Sequence, residues 1–185
     1  AINNDYSGFW DGGRYAYSGK VPWIPFYLSI ILAVVLKWKK QSWIMILAMV
    51  LAVVLADQIA SGVIKNLVCR LRPSHDSSLV NDIVLVRGYK SGLYVFVSSH
   101  AANSFAIALF ASLLLRNRLF AFTVFGWAAI NSYSRMYLGV HYPGDILGGT
   151  FVGLLVAYCL YLLIKRIKPE LMRVQAVGNI EVWIP

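Results

Sequence analysis

Five long apolar runs, separated by short polar stretches, constrain this chain more than any other feature of its sequence. The runs are Val21 to Leu36, Gln41 to Ala56, Ala101 to Leu115, Leu119 to Ser134 and Ile146 to Ile164. A helix needs about 20 residues, with a range of roughly 17 to 25, to cross a bilayer. The last run is long enough alone, and the others reach this length with the polar residues beside them. The runs therefore predict membrane-spanning helices.

The composition supports the same class of protein. Hydrophobic residues make up 59% of the chain and charged residues 14%, whereas soluble proteins have about 45–50% and about 25%. We predict an all-α integral-membrane bundle of about five transmembrane helices, forming a single domain over residues 1–185. Its motif-bearing core covers residues 50–164. Residues 1–20 are polar and turn-rich, which predicts an N-terminal segment at the membrane interface and no cleavable signal peptide.

Three short basic loops predict how the bundle is oriented. They are KWKK at 37–40, RNR at 116–118 and KRIK at 165–168, and all three fall on one side if five helices are threaded in order. The positive-inside rule assigns that side to the cytoplasm. Small size and minimal loops suggest a bacterial source. We therefore expect a protein of the bacterial inner (cytoplasmic) membrane, with the opposite, outer side facing the periplasm or the exterior.

Polar side chains gather at three places in the sequence, each at the predicted outer end of a helix. The first holds Lys65 and Arg72, the second Ser98, Ser99 and His100, and the third Arg135, His141 and Asp145. Stretches at the outer ends of helices can converge on one spot. Fixed cations, hydroxyls and helix N-terminal N–H groups bind tetrahedral oxyanions. The three places together predict a phosphate site.

The histidines and the aspartate supply groups for phosphoryl transfer. An unprotonated imidazole is a nucleophile towards phosphorus, and Asp145, four residues after His141, can accept the N–H of the other ring nitrogen. His100 can donate a proton to the departing oxygen. The cations of the site would neutralise charge on the equatorial oxygens of the transferred group.

The same inventory predicts neither a metal ion nor a cofactor. Asp145 is the only carboxylate in the three stretches, whereas the metals of phosphoryl transfer usually take two or more oxygen ligands. Cys69 and Cys159 have no CxxC or Cys/His partner. We expect no disulfide between them, because they lie at different depths of the bundle.

Taken together, these stretches resemble a known three-part signature. Lys65-x6-Arg72-Pro73, Ser98-Ser99-His100 and Ser134-Arg135-x5-His141-x3-Asp145 resemble the signature of the type 2 phosphatidic acid phosphatase (PAP2) superfamily. The resemblance implies a phosphohistidine at His141 with Asp145 as its partner, and His100 as the acid and later the base for water. It also implies that Lys65, Arg72, Ser98 and Arg135 bind phosphate. The family's middle motif is usually Pro-Ser-Gly-His, and here Val97 and Ser99 replace the proline and the glycine.

The placement of the site predicts the class of substrate. Phosphates within reach of outer helix ends belong to lipid headgroups, so we expect a membrane lipid phosphatase acting on undecaprenyl diphosphate, lipid A or phosphatidylglycerophosphate. A lipid-linked phosphotransferase, a non-specific acid phosphatase and a non-catalytic lipid-binding protein remain alternatives. The expected partners are the bilayer and a lipid phosphate, with no nucleic acid, and the oligomeric state stays open.

Several polar residues outside the signature need separate interpretations. Asp57, Ser61 and Lys65 follow one another at helical spacing on one face. We expect Asp57 to make a structural contact, with Asn131 as a candidate partner.

The loop after Pro73 leaves further choices open. We interpret His75 and Asp76 as loop or headgroup contacts, and Arg70 as either a headgroup contact or a solvated charge. The apolar stretches IVLV and LYVFV, which fall between Pro73 and Val97, could lie against acyl or prenyl chains.

Overall fold

The computed structural model of the protein describes residues 21–75 and 92–169. Predictions for the interfacial segment 1–20, for Asp76 and for the IVLV stretch lie outside these residues. The described chain is helical, and its one β-type contact is an isolated antiparallel bridge between Leu71 and Tyr94. The predicted all-α class is confirmed.

Five long helices follow the five apolar runs. They are α1 (Ile24–Trp38), α2 (Ser42–Asp57), α4 (Ser99–Leu115), α5 (Arg118–Tyr137) and α6 (Pro143–Ile167), and a short α3 (Lys65–Val68) extends α2. Within the described ranges, two helical stretches are long and apolar enough to cross a bilayer, namely Ile24–Val68 and Pro143–Ile167, and α4 is a shorter apolar helix. The number of spans therefore stays a prediction.

The first of these two stretches is a hairpin that ends in an irregular helix. Lys39 has a φ of 48°, which stops α1, and α2 folds back against it. After Asp57 the chain continues as a π-helix over Gln58–Ile64 and returns to α-helical geometry at Lys65. π-Helical turns are rare in proteins, and those that occur are often found at functional sites. The helix therefore continues past the second apolar run to Lys65, with this change of geometry.

Two of the predicted basic loops meet at one end of the bundle, here called the basic end. The Lys37 ammonium donates a hydrogen bond to the carbonyl of Leu115, where α4 ends. The Arg116 guanidinium lies 3.4 Å from the Tyr161 hydroxyl in the last third of α6. The three polar stretches of the predicted phosphate site lie at the opposite end, here called the motif end.

Helix α4 is the central element of the bundle. It packs against α6, α5 and α2, and its buried positions are mainly small residues, including Ala101, Ala102, Ala106, Ala108 and Ala111. Small side chains let helix backbones approach each other closely, which is how helices associate where the surroundings are as apolar as the side chains. Many large apolar side chains elsewhere in the bundle point outwards: Phe122 on α5 is 80% exposed and Leu147 on α6 is 72% exposed. This distribution fits a protein whose outer surface contacts lipid.

Glycines on α6 permit its close contact with α4. A Cβ atom on Gly153 would lie 2.1 Å from the carbonyl oxygen of Ala102, and one on Gly149 would lie 2.3 Å from the carbonyl oxygen of Ser98. Both neighbours are backbone atoms, which cannot turn away as a flexible side chain can. The absence of a side chain at these two positions therefore sets the distance between α4 and α6.

Replacing Gly153 by alanine should consequently destabilise the bundle. The added methyl group forces α4 and α6 apart, and overpacking of this kind costs about 1–3 kcal/mol. We expect a lower Tm for Gly153→Ala in detergent, measured by circular dichroism. The matched control is Gly126→Ala in α5, where a Cβ would meet nothing within 4 Å. Equal Tm values for the two variants would contradict the close approach.

Candidate active site

The turn between α5 and α6 carries the third polar stretch. Arg135 lies in the last turn of α5, and its carbonyl accepts a hydrogen bond from Val140 N–H at 3.3 Å. Gly139 has a φ of 70°, a conformation that glycine adopts without a steric penalty. His141 follows just before α6. Arg135 and His141 are buried, with 4% and 5% of their surface exposed.

Asp145 lies behind the imidazole of His141, in the first turn of α6. Its Oδ2 accepts a hydrogen bond from Tyr142 N–H at 2.7 Å and lies 3.6 Å from His141 Nδ1. The carboxylate is fully buried, and the N-terminus of α6 stabilises its negative charge. A separation of 3.6 Å exceeds the usual 2.7–3.2 Å of an N–H···O bond, and such contacts often tighten when a site binds its substrate.

Arg72 contacts the other ring nitrogen of the same histidine. Its Nη1 donates to the carbonyl of Val140 at 2.9 Å and lies 3.2 Å from His141 Nε2. Arginine stays protonated in proteins, so Nε2 must offer its lone pair in this contact. The proton of the neutral ring is then on Nδ1 and faces Asp145. The arrangement leaves Nε2 unprotonated beside a fixed cation, as a nucleophile towards an anionic phosphate requires.

The surroundings of His141 disfavour its charged form. The pKa of the imidazole is lowered from 6.5 to about 4, chiefly by burial; Asp145 acts in the opposite direction, and the charges of Arg72 and Arg135 add to the lowering. A histidine with this pKa is neutral throughout the physiological range.

The first two polar stretches also meet at the motif end. The Lys65 ammonium donates to Ser99 Oγ at 2.7 Å, and Ser61 Oγ lies 2.7 Å from the same oxygen. Ser99, which replaces the usual glycine, is the first residue of α4 and has no positive φ. The serine is therefore accommodated by helical backbone, and its hydroxyl holds Lys65.

The second stretch is joined to the third through the backbone. Ser98 N–H donates to the carbonyl of Asp145 at 2.9 Å. The fully buried Ser98 hydroxyl caps α4, accepting from Ala101 N–H at 3.4 Å. His100 is the second residue of α4 and is half-buried. Every residue of the predicted site within the three stretches therefore lies at the motif end, while the phosphate-binding and catalytic roles assigned to them stay predictions.

The predicted contact between Asp57 and Asn131 is wrong. Asp57 Oδ1 accepts from Asn103 Nδ2 at 2.9 Å, and Asn131 instead donates to Ser104 Oγ at 2.7 Å. The physical reason is the packing order, because α2 lies against α4 and Asn103 is one helical turn below Ser99 on that helix. The interpretation of Asp57 as a structural contact stays a prediction.

Arg70 is the residue that sequence reasoning did not place. Its Nη1 lies 3.5 Å from Asp145 Oδ1, and its guanidinium carbon lies 4.1 Å from the centre of the Tyr142 ring. The Arg70 side chain is also 46% exposed, so the choice between a headgroup contact and a solvated charge stays a prediction. A usable signal was the Arg-Leu-Arg order, because alternate residues of an extended segment share a face, and Arg70 and Arg72 flank the bridging residue Leu71.

Among the residues that the structure describes, no group of three or more His, Cys, Asp or Glu side chains is placed to hold a metal ion. His75 ends a short 3-10 turn, Pro73–His75. Its backbone N–H donates a hydrogen bond to the carbonyl of Arg72 at 2.9 Å.

Comparisons with known proteins bear on the family and the fold of this chain. A family model described as the PAP2 superfamily matches residues 41–169. The lipid A 4'-phosphatase of Bacteroides thetaiotaomicron is 39% identical over 174 residues, covering 92% of this chain and 76% of that protein. The lipid A 4'-phosphatase of Porphyromonas gingivalis is 36% identical over 154 residues, covering 82% of this chain and 64% of that protein. The crystal structure of Aquifex aeolicus LpxE has the same fold, with a TM-score of 0.66 at 22% identity over 87% of this chain and 90% of that one.

The chain belongs to the PAP2 superfamily. With phosphatases as its relatives and an apolar helical bundle as its fold, it is an integral-membrane enzyme, a membrane lipid phosphatase. The resemblance found in the three motifs is thereby confirmed.

The electrostatics of His141 predict its titration. Burial and Arg72 both disfavour the imidazolium, so the ring should take up its proton near pH 4 and not near pH 6.5, where free histidine titrates. NMR of protein labelled with ¹⁵N-histidine in micelles measures this directly, and a His→Gln variant of each of the three histidines assigns the signals. A midpoint near 6.5 for His141 would contradict the buried, arginine-paired environment.

Proposed function

We propose that this protein hydrolyses the 4'-phosphate monoester of lipid A through a covalent phosphohistidine at His141, without a metal ion. The observation that carries the mechanism is the pair of contacts on the His141 ring, with Arg72 at 3.2 Å from Nε2 and Asp145 at 3.6 Å from Nδ1. The substrate is supported by the two lipid A 4'-phosphatases that resemble this chain over most of its length.

In the first step, His141 Nε2 attacks phosphorus in line with the departing lipid oxygen. The N–P bond forms, the P–O bond to the lipid breaks, and the leaving oxygen takes a proton from His100. The phosphorylated imidazole retains its Nδ1 proton and becomes cationic, so Asp145 stabilises the intermediate. Lys65, Arg72 and Arg135 neutralise the charge on the transferred oxygens.

In the second step, His100 acts as a base. It takes a proton from water, whose oxygen attacks phosphorus as the N–P bond breaks. Inorganic phosphate leaves, and both histidines return to their starting states. Because the group acting as acid in one step is left ready to act as base in the next, two imidazoles suffice for the full cycle.

The cations of the site supply the positive charge that a metal ion would otherwise provide. Arg72 and Arg135 are buried and always charged, and the Lys65 ammonium is held in place by Ser99. Three fixed cations offset the charge of a phosphate monoester dianion and of the trigonal bipyramidal transition state. Activity should therefore survive an excess of EDTA.

A lipid phosphate suits the position of the motif end. The helices that carry the site have apolar side chains on their outer surfaces, such as Leu67 at 78% exposure beside Lys65. A headgroup at the membrane surface can therefore reach the site while its acyl chains stay in lipid. A phosphotransferase would use the same phosphohistidine with a lipid or sugar acceptor, so the assay below includes acceptors.

The nucleophile is tested by His141→Ala and His141→Gln. Both should lose phosphate release from lipid A by on the order of 10³-fold or more, because a nucleophile and its partners act as a unit. Both should also lose the acid-labile phosphoenzyme that quenched wild-type protein forms. Arg118→Ala is the control, since Arg118 is exposed at the basic end, away from the site, and it should keep both signals.

Several outcomes would contradict this proposal. Near-normal turnover in a folded His141 variant would refute the phosphohistidine. Loss of activity in EDTA with recovery in magnesium would refute metal independence. Mass spectrometry of the product should show that the phosphate is lost from the 4' position of lipid A. Faster phosphate release from undecaprenyl diphosphate, phosphatidylglycerophosphate or a soluble ester would refute lipid A as the substrate. Transfer to an added acceptor in preference to water would favour the phosphotransferase.

We also propose that the motif end faces the periplasm of a bacterial inner membrane, on the basis of the basic loops at the opposite end. The native Cys69 is exposed at the motif end, so it serves as a reporter. In right-side-out spheroplasts, an impermeant maleimide should label Cys69 in a Cys159→Ser background. A cysteine at Asn117→Cys, in a background without Cys69 and Cys159, should react only after permeabilisation. The reverse labelling pattern would place the site in the cytoplasm.

A further inference from the structure

Arg70 contacts the site although it belongs to none of the residues considered for phosphate binding or catalysis. Its Nη1 is 3.5 Å from Asp145 Oδ1, whereas His141 Nδ1 lies 3.6 Å from the other carboxylate oxygen, Oδ2. Oδ2 also accepts the hydrogen bond from Tyr142 N–H. Arg70 and His141 thus approach one buried carboxylate from two sides.

Two further contacts fix the position of the Arg70 side chain. The backbone carbonyl of Arg70 accepts a hydrogen bond from Val95 N–H at 2.9 Å. This bond and the neighbouring Leu71–Tyr94 bridge hold the backbone of Arg70 in place. Its guanidinium stacks over the Tyr142 ring at 4.1 Å. A cation over an aromatic face contributes about 0.5–1 kcal/mol at exposed sites. The side chain is nevertheless 46% exposed, so it can move without displacing core residues.

The charge balance around Asp145 explains why a cation is needed there. A fully buried carboxylate is costly unless a charge or hydrogen bonds compensate it. His141 cannot provide that charge in the resting enzyme, because burial holds its pKa near 4 and the ring is neutral. Among the described residues, Lys65, Arg72, Arg135 and His100 belong to the predicted phosphate site. Arg70 is a cation outside that set, and its Nη1 lies 3.5 Å from Asp145 Oδ1.

We propose that Arg70 is a positioning residue, which holds the Asp145 carboxylate oriented in the resting enzyme and releases it towards His141 when the phosphorylated ring becomes cationic. The inference rests on the proposed phosphohistidine mechanism. As the N–P bond forms, the Asp145 carboxylate moves closer to the Nδ1–H group of His141. Its contact with the half-exposed Arg70 side chain weakens at the same time. Arg70 thus acts through Asp145 and touches neither phosphorus nor the leaving group.

The test compares Arg70→Ala and Arg70→Lys with wild-type protein. Loss of an orienting group typically lowers activity about 10–100-fold, so kcat for lipid A in micelles should fall by this factor in Arg70→Ala, with KM within about threefold. Arg70→Lys keeps the charge and should recover part of kcat. Arg118→Ala is the matched control, because Arg118 is exposed at the basic end, and it should behave as wild type.

The titration of His141 supplies a readout that a purely structural role would leave unchanged. Removal of a cation near the His141–Asp145 pair favours the imidazolium, so the NMR midpoint of His141 should rise in Arg70→Ala above its wild-type value and return towards it in Arg70→Lys. A Tyr142→Leu variant removes the stacking partner but keeps the backbone N–H that binds Asp145, and it should show a smaller effect in the same direction.

Other outcomes would overturn the inference. A raised KM with unchanged kcat would make Arg70 a substrate contact, and wild-type values in every assay would remove its role. A lower Tm with neither a shift of the His141 midpoint nor rescue by lysine would mark a structural contact. If wild-type protein forms the phosphoenzyme and only the Arg70 effects are missing, this inference fails alone. If no phosphoenzyme forms at His141, the proposed function fails and the inference fails with it.

Discussion

The close approach of α4 and α6 is the contact on which the rest of the structure depends. Gly149 and Gly153 let the two backbones meet, and Ser98 N–H then reaches the Asp145 carbonyl at 2.9 Å. This bond joins the start of α4, which carries Ser99 and His100, to the start of α6, which follows His141. Because one hydrogen bond joins the two helix ends, residues far apart in the sequence meet at the motif end. Small residues along the same interface keep the register without large side chains to interlock.

Positive charge exceeds negative charge among the described contacts of the motif end. Arg72 and Arg135 are buried, and a buried cation is costly unless hydrogen bonds or opposite charges surround it. Arg72 binds the carbonyls of Gly92 and Val140 and reaches the ring of His141. Asp145 is the one carboxylate among these described contacts. Burial, together with this positive charge, keeps His141 neutral. In the proposed mechanism the same cations bind the phosphate.

The polar contacts continue from this pocket into the apolar part of the bundle. Ser61 bonds to Ser99, Asp57 to Asn103 and Asn131 to Ser104, while the outer surfaces of the same helices are apolar. Polar side chains inside a membrane bundle almost always face its interior, because an unpaired polar group in lipid costs several kcal/mol. The π-helix before Lys65 lies in this region and brings Lys65 to Ser99. The pocket is thus supported from below by paired polar groups.

The sequence alone determined the class of fold, the approximate positions of the long helices and the three polar stretches, because hydrophobicity and motif spacing are local properties of a chain. It also indicated that Asp57, Ser61 and Lys65 share a helix face. The tertiary structure decided which helices are neighbours, and therefore that Asp57 pairs with Asn103 and that Arg70 lies against Asp145. The neutral state of His141 likewise follows from burial and from Arg72, contributed by a segment nearly seventy residues earlier in the chain. Contacts between distant segments depend on how close two helix backbones can come, and no local pattern in the sequence contains that distance.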